Sequence, residues 1–127
     1  MGSRPKILLV DDDPLMHRLY PPYIERAGYE VVSLLDGAEA AQTTSRELPK
    51  VVIMDMVLPG GDGMTAIMDI KRTVTGIPVI AISANPEYHR FRQLLTQSGV
   101  DLFLSKPFSP VQLVSEIRRL DPDSKSR

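Results

Sequence analysis

Short apolar runs alternate along the chain with longer segments in which apolar residues recur every three or four positions. The runs are rich in Val, Ile and Leu, as is typical of strands buried on both faces of a sheet. They lie at residues 6–11, 30–35, 50–54, 78–83 and 101–105. The segments between them can each turn one apolar face inward, as Leu113, Ile117 and Leu120 do at helical spacing. The pattern predicts five successive strand and helix units.

Proline positions refine the predicted helices. Ser109 before Pro110 places a capping side chain ahead of a proline that suits a first helical turn. Pro21 and Pro22 instead fall inside the predicted first helix. An interior proline costs roughly 3 kcal/mol or more because it removes a backbone hydrogen bond and clashes with the preceding turn. We therefore predict that the first helix is kinked or split at these prolines.

The alternation of strands and helices indicates a mainly parallel sheet with helices on both faces. A chain of 127 residues is too short for a closed eight-stranded barrel. We predict a doubly wound α/β fold of flavodoxin-like type, in which five parallel strands lie in the order 2-1-3-4-5. One domain is expected over residues 6–120, with flexible termini at 1–5 and 121–127.

Polar side chains follow the carboxyl ends of four predicted strands. They are Asp11 and Asp12 after the first strand, Asp55 after the third, Ser83 after the fourth and Lys106 after the fifth. In the predicted strand order these ends surround the crevice in which such sheets bind ligands. The sequence therefore predicts one site built from several strands.

Neighbouring carboxylates repel one another unless a cation is present. Mg²⁺ suits such a site because it takes oxygen ligands and is typically held by one or two carboxylates together with phosphate oxygens. We predict Asp12 and Asp55 as direct ligands, and Asp11 as a ligand that acts directly or through water. The backbone carbonyl of Val57 is a further candidate ligand if the loop after the third strand curls over the site.

An aspartate carboxylate can also act as a nucleophile towards phosphorus and form an acyl phosphate. Transfer of a phosphoryl group then depends on positioning and on neutralising the charge of its oxygens. Ser83 would supply a hydroxyl, and Lys106 an ammonium group that also balances the acidic cluster. Asp13 is expected to be only a helix-capping residue.

Composition narrows the classes of function. The chain carries 15 Lys and Arg against 16 Asp and Glu, which gives no broad electrostatic reason to expect direct binding to nucleic acid or membrane. It has no cysteine, which excludes thiol nucleophiles and thiolate metal sites. His17 and His89 are expected to be surface or helix-face residues. No stretch approaches the roughly 18 apolar residues of a membrane span, and we expect a cytoplasmic protein.

Four short motifs stand at characteristic separations. They are Val10-Asp11-Asp12-Asp13-Pro14, Met54-Asp55-Met56-Val57-Leu58-Pro59 followed by Gly61-Asp62-Gly63, Ile82-Ser83-Ala84, and Lys106-Pro107-Phe108. Together they resemble the receiver domain of two-component response regulators, over residues 6 to about 120. The resemblance implies that Asp55 receives a phosphoryl group from a histidine kinase or a histidine phosphotransfer domain. It also implies that Asp11 and Asp12 bind Mg²⁺ and that Ser83 and Lys106 contact the phosphoryl group.

The same resemblance implies how the chemistry becomes a signal. Phe103 occupies the position of an aromatic switch residue that responds to movement of Ser83, and the Lys106-Pro107 bond is expected to be cis. The output domain or partner protein is expected to contact three elements: the fourth helix, the fifth strand and the fifth helix. Arg90 belongs to the fourth helix. A phosphorylation-dependent dimer is a further use of such a surface.

Some positions depart from the family pattern. Val57 and Asn85, two residues beyond Asp55 and Ser83, stand where the family modulates the lifetime of the phosphoryl group. Apolar Val57 offers no water-activating group, so we expect Mg²⁺-dependent self-phosphorylation followed by slow self-dephosphorylation, without turnover as an enzyme. The paired prolines of the first helix are atypical for the family.

Two other classes of function remain open from the sequence. A phosphohydrolase of the haloacid dehalogenase type would use Asp11 as nucleophile and Asp13 as acid and base. Leu15 stands where that class has Thr or Val, and the chain has no room for a cap domain. The other class is an inactive receiver that serves only as an interaction module, which the full set of acids, serine and lysine disfavours.

Overall fold

The structure of the chain is a computed structural model, and it describes residues 4–58, 61–85 and 99–126. Within these ranges the strands are Lys6–Val10 (β1), Glu30–Leu34 (β2), Val51–Asp55 (β3), Val57–Leu58 (β4), Gly61–Asp62 (β5), Val79–Ser83 (β6) and Leu102–Ser105 (β7). The helices are Met16–Leu19 (α1), Pro21–Arg26 (α2), Ala40–Glu47 (α3), Gly63–Thr73 (α4) and Pro110–Leu120 (α5), followed by a 3₁₀ turn at Ser124–Ser126.

Five strands form one sheet in the order β2-β1-β3-β6-β7, and all their pairings are parallel. Counted within this sheet, the order is 2-1-3-4-5, which confirms the predicted doubly wound α/β fold. Each of the five apolar runs gives one of these strands. The short strands β4 and β5 form a separate antiparallel hairpin that the sequence did not predict.

The core lies in two layers because successive residues of a strand face opposite sides of the sheet. Ile7 and Leu9 of β1 belong to the layer that also contains Ile24 and Ile117, from α2 and α5. Leu8 and Val10 face the other layer, which includes residues of α3 and α4. The sheet is therefore covered by helices on both faces, and polar groups can lie only at its ends.

The first helical segment is split, as predicted, with α1 and α2 meeting at Tyr20. Pro21 and Pro22 have no N–H group and cannot donate to the preceding turn. The chain nevertheless stays packed, because the Tyr20 hydroxyl donates to the carbonyl oxygen of Phe108 at 2.8 Å and the two rings lie with centroids 4.8 Å apart. The break thus leaves the first helical segment attached to the loop that follows β7.

The segment after Leu120 packs against the amino-terminal edge of the sheet. Asp121 is buried, and one carboxylate oxygen accepts a hydrogen bond of 2.7 Å from the Tyr29 hydroxyl. Its other oxygen accepts from the backbone N–H of Asp123, whose side chain forms an ion pair of 2.8 Å with Lys50. The sequence predicted a flexible terminus over residues 121–127 and did not predict these contacts. They extend the packed part of the chain to Asp123.

The helix predicted between β6 and β7, which carries Arg90 and Arg92, lies outside the described residues. Among the residues that are described, no helix is both long enough and apolar enough to cross a membrane.

Replacing Tyr29 by Phe tests the packing of the carboxyl-terminal segment. The change removes the donor to the buried Asp121 carboxylate, and we expect it to lower the free energy of unfolding by about 1–3 kcal/mol. The measurement is urea unfolding followed by circular dichroism. Tyr23→Phe is the matched control, since Tyr23 is exposed and should change stability by less than about 0.5 kcal/mol. Equal effects of the two variants would contradict the proposed contact.

Candidate functional site

Three acidic side chains meet at the carboxyl ends of β1 and β3. One carboxylate oxygen from each of Asp11, Asp12 and Asp55 lies within 4.8 Å of the other two. The register explains the meeting, because Val10 pairs with Met54, Asp11 and Asp55 follow directly after these two residues, and Asp12 is next to Asp11 in the chain. Asp11 and Asp55 are buried, whereas Asp12 is exposed. The structure thus brings together the three predicted acidic ligands.

Lys106 reaches this acidic cluster from the end of β7. Its Nζ lies 2.7 Å from Oδ2 of Asp11 and 3.3 Å from Oδ2 of Asp55. Burial alone lowers the pKa of Lys106, but the two carboxylates outweigh this effect and raise the pKa above its ordinary value. The lysine is therefore held as a cation between two acids. The predicted cis bond between Lys106 and Pro107 is confirmed.

The Asp55 carboxylate lies in the middle of the site and is 4% exposed. Its Oδ1 accepts a hydrogen bond of 3.1 Å from the backbone N–H of Val57. Burial raises the pKa of Asp55, and the nearby charge of Asp11 adds to the rise, while the Val57 bond and Lys106 oppose it. The ionised form of Asp55 is thus disfavoured in the protein alone, and cationic ligands would relieve that cost.

Asp11 and Asp13, both in the acidic loop after β1, make different kinds of contact. Oδ1 of Asp11 accepts a hydrogen bond of 2.9 Å from the backbone N–H of Asp13. The Asp13 carboxylate accepts from the backbone N–H of Leu15 at 3.0 Å, which is the local bonding expected of a residue that starts a helical segment. Asp13 is not among the three clustered carboxylates. The structure therefore places Asp13 outside the acidic cluster, with its carboxylate bonded to the start of the first helical segment.

The hairpin of β4 and β5 determines which way the backbone of Val57 points. The N–H of Gly63 donates to the Met56 carbonyl at 3.0 Å, so Val57 and Asp62 form the next, non-hydrogen-bonded pair of this ladder. The N–H and carbonyl groups of Val57 therefore point away from β5. Since its N–H bonds to Asp55, its carbonyl oxygen lies along the same edge of the hairpin. The role of this carbonyl oxygen as a metal ligand stays a prediction.

Gly63 shows why the loop after β3 needs a glycine. A Cβ atom at Gly63 would lie only 2.7 Å from the Cα of Met56 and closer still to the carbonyl oxygen of Asp55. Any other residue would push the hairpin away from the strand that carries Asp55. The motif after Asp55 thus has a packing reason in addition to its resemblance.

Ser83 ends β6 one residue beyond Ile82, which pairs with Asp55. Ser83 is buried, and its hydroxyl oxygen accepts a hydrogen bond of 3.0 Å from the backbone N–H of Asn85. Phe103, in the neighbouring strand β7, is also buried and pairs with Ala81 of β6. Because Ala81 and Ser83 are two residues apart, Ser83 and Phe103 share one face of the sheet.

His17 belongs to the site and was not predicted there. It is half-buried, and its Nε2 lies 2.7 Å from the carbonyl oxygen of Asp11. His17 lies on α1, as expected of a helix-face residue, but its bond to the Asp11 carbonyl was not predicted, because a helix-face pattern does not show which loop the helix folds against. The position six residues after Asp11 is the only signal that the sequence offered. His89 lies outside the described residues.

The donor set fits Mg²⁺ better than a softer metal. It consists of three clustered carboxylate oxygens, and hard cations prefer oxygen ligands. The fit also has an electrostatic reason, because the buried carboxylates of Asp11 and Asp55 face only one cation within the described residues, Lys106.

The chain matches the family model of the response regulator receiver domain over residues 7–118. It is 30% identical over 116 residues to the alkaline phosphatase synthesis transcriptional regulatory protein PhoP of Bacillus subtilis, a match that covers 91% of this chain and 48% of that protein. It is 35% identical to the sensor protein GacS of Pseudomonas syringae, over 92% of this chain and 14% of that protein.

A solved receiver domain is similar in fold. The receiver domain of the sensor histidine kinase PA1611 from Pseudomonas aeruginosa, with a magnesium ion coordinated in its active site cleft, has a TM-score of 0.80. The match is 30% identical and covers 93% of this chain and 98% of that domain. By contrast, the chain spans less than half the length of the curated relatives first matched.

Replacing Asp55 by Asn should stabilise the protein in the absence of divalent metal. The pKa of Asp55 is raised above its ordinary value of 3.8, so ionisation costs folding free energy at neutral pH. That cost is absent below the ordinary pKa and is full above the raised pKa. We expect a gain in unfolding free energy on the order of 1 kcal/mol at pH 7, measured by urea unfolding in EDTA, and a smaller gain in acid.

The matched control for this prediction is Asp69→Asn. Asp69 is exposed in an ion pair with Arg72, and such pairs contribute about 0–1 kcal/mol. Removing it should leave stability unchanged or slightly lower. If Asp55→Asn lowers stability as much as the control does, the carboxylate is not held against an electrostatic cost.

Proposed function

This chain belongs to the family of response regulator receiver domains, and from that premise we propose that it accepts a phosphoryl group on Asp55. The donor is the phosphohistidine of a histidine kinase or of a histidine phosphotransfer domain, within a two-component phosphorelay. The observation that carries the proposal is the meeting of the Asp55 carboxylate with two further acids and with Nζ of Lys106.

Asp55 is the acceptor among the three acids because of what surrounds each of them. Asp11 is fully buried and holds the lysine more closely than Asp55 does, with Nζ of Lys106 at 2.7 Å from its Oδ2 against 3.3 Å for Asp55. Asp12 is exposed and lies beyond the end of its strand. Asp55 alone of the three stands at the centre of the sheet edge, one strand away from Ser83. These surroundings favour Asp55 as the nucleophile.

In the step that we propose, a carboxylate oxygen of Asp55 attacks the phosphorus atom in line with the leaving group. A phosphorus to oxygen bond forms and the bond from phosphorus to the donor's imidazole nitrogen breaks. The imidazole keeps the electron pair and takes up a proton from solvent. Lys106 and the Ser83 hydroxyl stabilise the charge on the phosphoryl oxygens.

The cation that this site would hold is Mg²⁺. The residues that would bind it are Asp11, Asp12 and Asp55, together with the carbonyl oxygen of Val57. When bound, the ion neutralises charge on the carboxylates and on the incoming phosphoryl group. The magnesium ion in the PA1611 receiver domain supports this choice for a related domain.

Members of this family are generally phosphoacceptors and not turnover enzymes. We propose that Asp55 is also phosphorylated by small donors in an Mg²⁺-dependent reaction that the domain itself catalyses. Loss of the group would be slow because Val57, which is 53% exposed beside the site, has no side chain that could orient a water molecule. The phosphoryl group would therefore act as a stored signal.

The signal would leave the site through Ser83 and Phe103. Movement of the Ser83 hydroxyl towards a phosphoryl oxygen would open space on the face that it shares with Phe103, and a phenyl ring fills such space without desolvating a polar group. This biases an existing equilibrium between two arrangements. The output domain, partner protein or second copy would then contact the predicted fourth helix, β7 and α5.

Phosphorylation can be tested by incubating the protein with acetyl phosphate and Mg²⁺ and measuring its intact mass. One phosphoryl group per chain is expected, and none in Asp55→Asn. Asp13→Asn is the matched control, because it removes a carboxylate from the same site region that the proposal does not use. Robust modification of Asp55→Asn would refute the assignment. Repeated hydrolysis of a small phosphomonoester that depends on Asp11 and Asp13 would instead support the dehalogenase-type alternative.

Mg²⁺ should stabilise the folded protein, because a ligand that binds only the folded state raises stability by mass action. Thermal unfolding with millimolar Mg²⁺ is expected to give a higher midpoint than in EDTA. Asp12→Asn should reduce the difference, whereas the exposed Asp69→Asn should leave it unchanged. A midpoint that does not respond to Mg²⁺ in the unmodified protein would revive the inactive interaction module.

A further inference from the structure

The side chain of His17 makes one hydrogen bond within the described residues, and the direction of that bond is determined by chemistry. The carbonyl oxygen of Asp11, 2.7 Å from Nε2, can only accept, so Nε2 must carry the hydrogen and donate it. The other ring nitrogen, Nδ1, is buried and has no hydrogen-bond partner in the described part of the chain. The single N–H group of the neutral ring therefore donates to the backbone of the acidic loop.

With this bond, every polar group of Asp11 has a partner. The Asp11 N–H donates to the carbonyl of Leu34 in the neighbouring strand, and its two carboxylate oxygens contact Asp13 and Lys106. His17, which lies on α1, donates to the remaining polar atom of Asp11, its carbonyl oxygen. That carbonyl belongs to the peptide group between Asp11 and Asp12.

Asp12 depends on that peptide group for its direction. Its side chain is exposed, and its carboxylate accepts no hydrogen bond from the described residues. An exposed carboxylate with no bond of its own takes its direction from the backbone that carries it. Fixing the preceding peptide plane restricts that backbone, and with it the position from which Asp12 reaches the metal.

We propose that His17 is a positioning residue for the metal site: by donating to the Asp11 carbonyl, it orients Asp12 as a ligand. The inference rests on the proposed function, since it requires that Asp12 binds Mg²⁺. Groups that orient metal ligands in this way typically change metal affinity by about 10–100-fold when they are removed. His17 itself does not touch the metal or the phosphoryl group.

The position of His17 on α1 makes this role physically reasonable. The helix begins directly after the acidic loop, and its residue Met16 is buried in the core. The backbone N–H of His17 donates to the Pro14 carbonyl at 3.1 Å, which ties the residue to the loop that it holds. A short packed helix thus presents the imidazole at a fixed place beside β1.

Two substitutions of equal chain length separate the hydrogen bond from packing. Gln places an amide N–H near the position of the histidine Nε2, whereas Met has a similar shape and no donor. Isothermal titration with MgCl₂ should give His17→Gln an affinity within about threefold of the unmodified protein. His17→Met should bind Mg²⁺ about tenfold more weakly. Equal affinities of His17→Met and the unmodified protein would overturn the inference.

A second measurement shows whether the effect passes through Asp12. In an Asp12→Asn background, where the ligand is already impaired, His17→Met should weaken Mg²⁺ binding by less than about twofold. A full tenfold effect in that background would mean that His17 acts elsewhere, and would overturn the role. His17→Leu replaces His17→Met in both measurements if the Met variant does not fold, as judged by circular dichroism.

Failure of this inference differs from failure of the proposed function. If the unmodified protein binds no Mg²⁺, the metal site is wrong and the role of His17 is overturned with it. If the unmodified protein binds Mg²⁺ and His17→Met lowers only the unfolding midpoint in EDTA, the metal site stands. In that case the histidine contributes to stability alone and the positioning role is overturned.

Discussion

The structure depends on burying two like charges next to each other with one cation between them. Asp11 and Asp55 are both almost completely removed from solvent, and Nζ of Lys106 lies within 3.3 Å of an oxygen of each. One ammonium cannot balance two carboxylates, and burial makes the remaining charge costly. The site is therefore poised to take up positive charge, and a cation that enters it removes an existing penalty in addition to making new bonds.

The rest of the fold maintains that unfavourable arrangement. The strands that carry the two acids have apolar residues on both faces, so they cannot twist a carboxylate towards water without exposing the core. Beyond the strands, the hairpin after β3 donates a backbone N–H to Asp55, and Gly63 lets this hairpin lie directly on the end of the strand. Rigid packing keeps the charges together, and the local backbone bonds limit the cost.

The sequence predicted what depends on local pattern and missed what depends on distant contacts. The five strands follow from continuous apolar runs, and the split first helix follows from Pro21 and Pro22, whose effect on a helix is local. The packed segment at Asp121 looked like a polar tail because its order depends on Tyr29, which is 92 residues away. The hairpin strands, with two residues each, are too short to show any periodicity.

The candidate site followed the same division. Asp11, Asp55 and Lys106 were predictable because the carboxyl ends of parallel strands meet at one edge of the sheet. The bond from His17 to the Asp11 carbonyl was not predictable, because the spacing of His17 along the chain gives no sign of it. Helical periodicity identifies the buried face of a helix, but a residue at the border of that face can contact whichever loop the helix covers.

Lys106 links the charge balance of the site to distant surfaces. Its ammonium group contacts both acids, while its backbone N–H donates to the Ser83 carbonyl at 2.9 Å and so joins the ends of β6 and β7. Two residues later, Phe108 accepts from the Tyr20 hydroxyl, and Ser109 caps α5. A phosphoryl group on Asp55 would move negative charge outward and draw the ammonium after it. The contacts of Lys106 and of the two residues that follow Pro107 therefore connect the charge balance of the site with both α5 and the first helical segment.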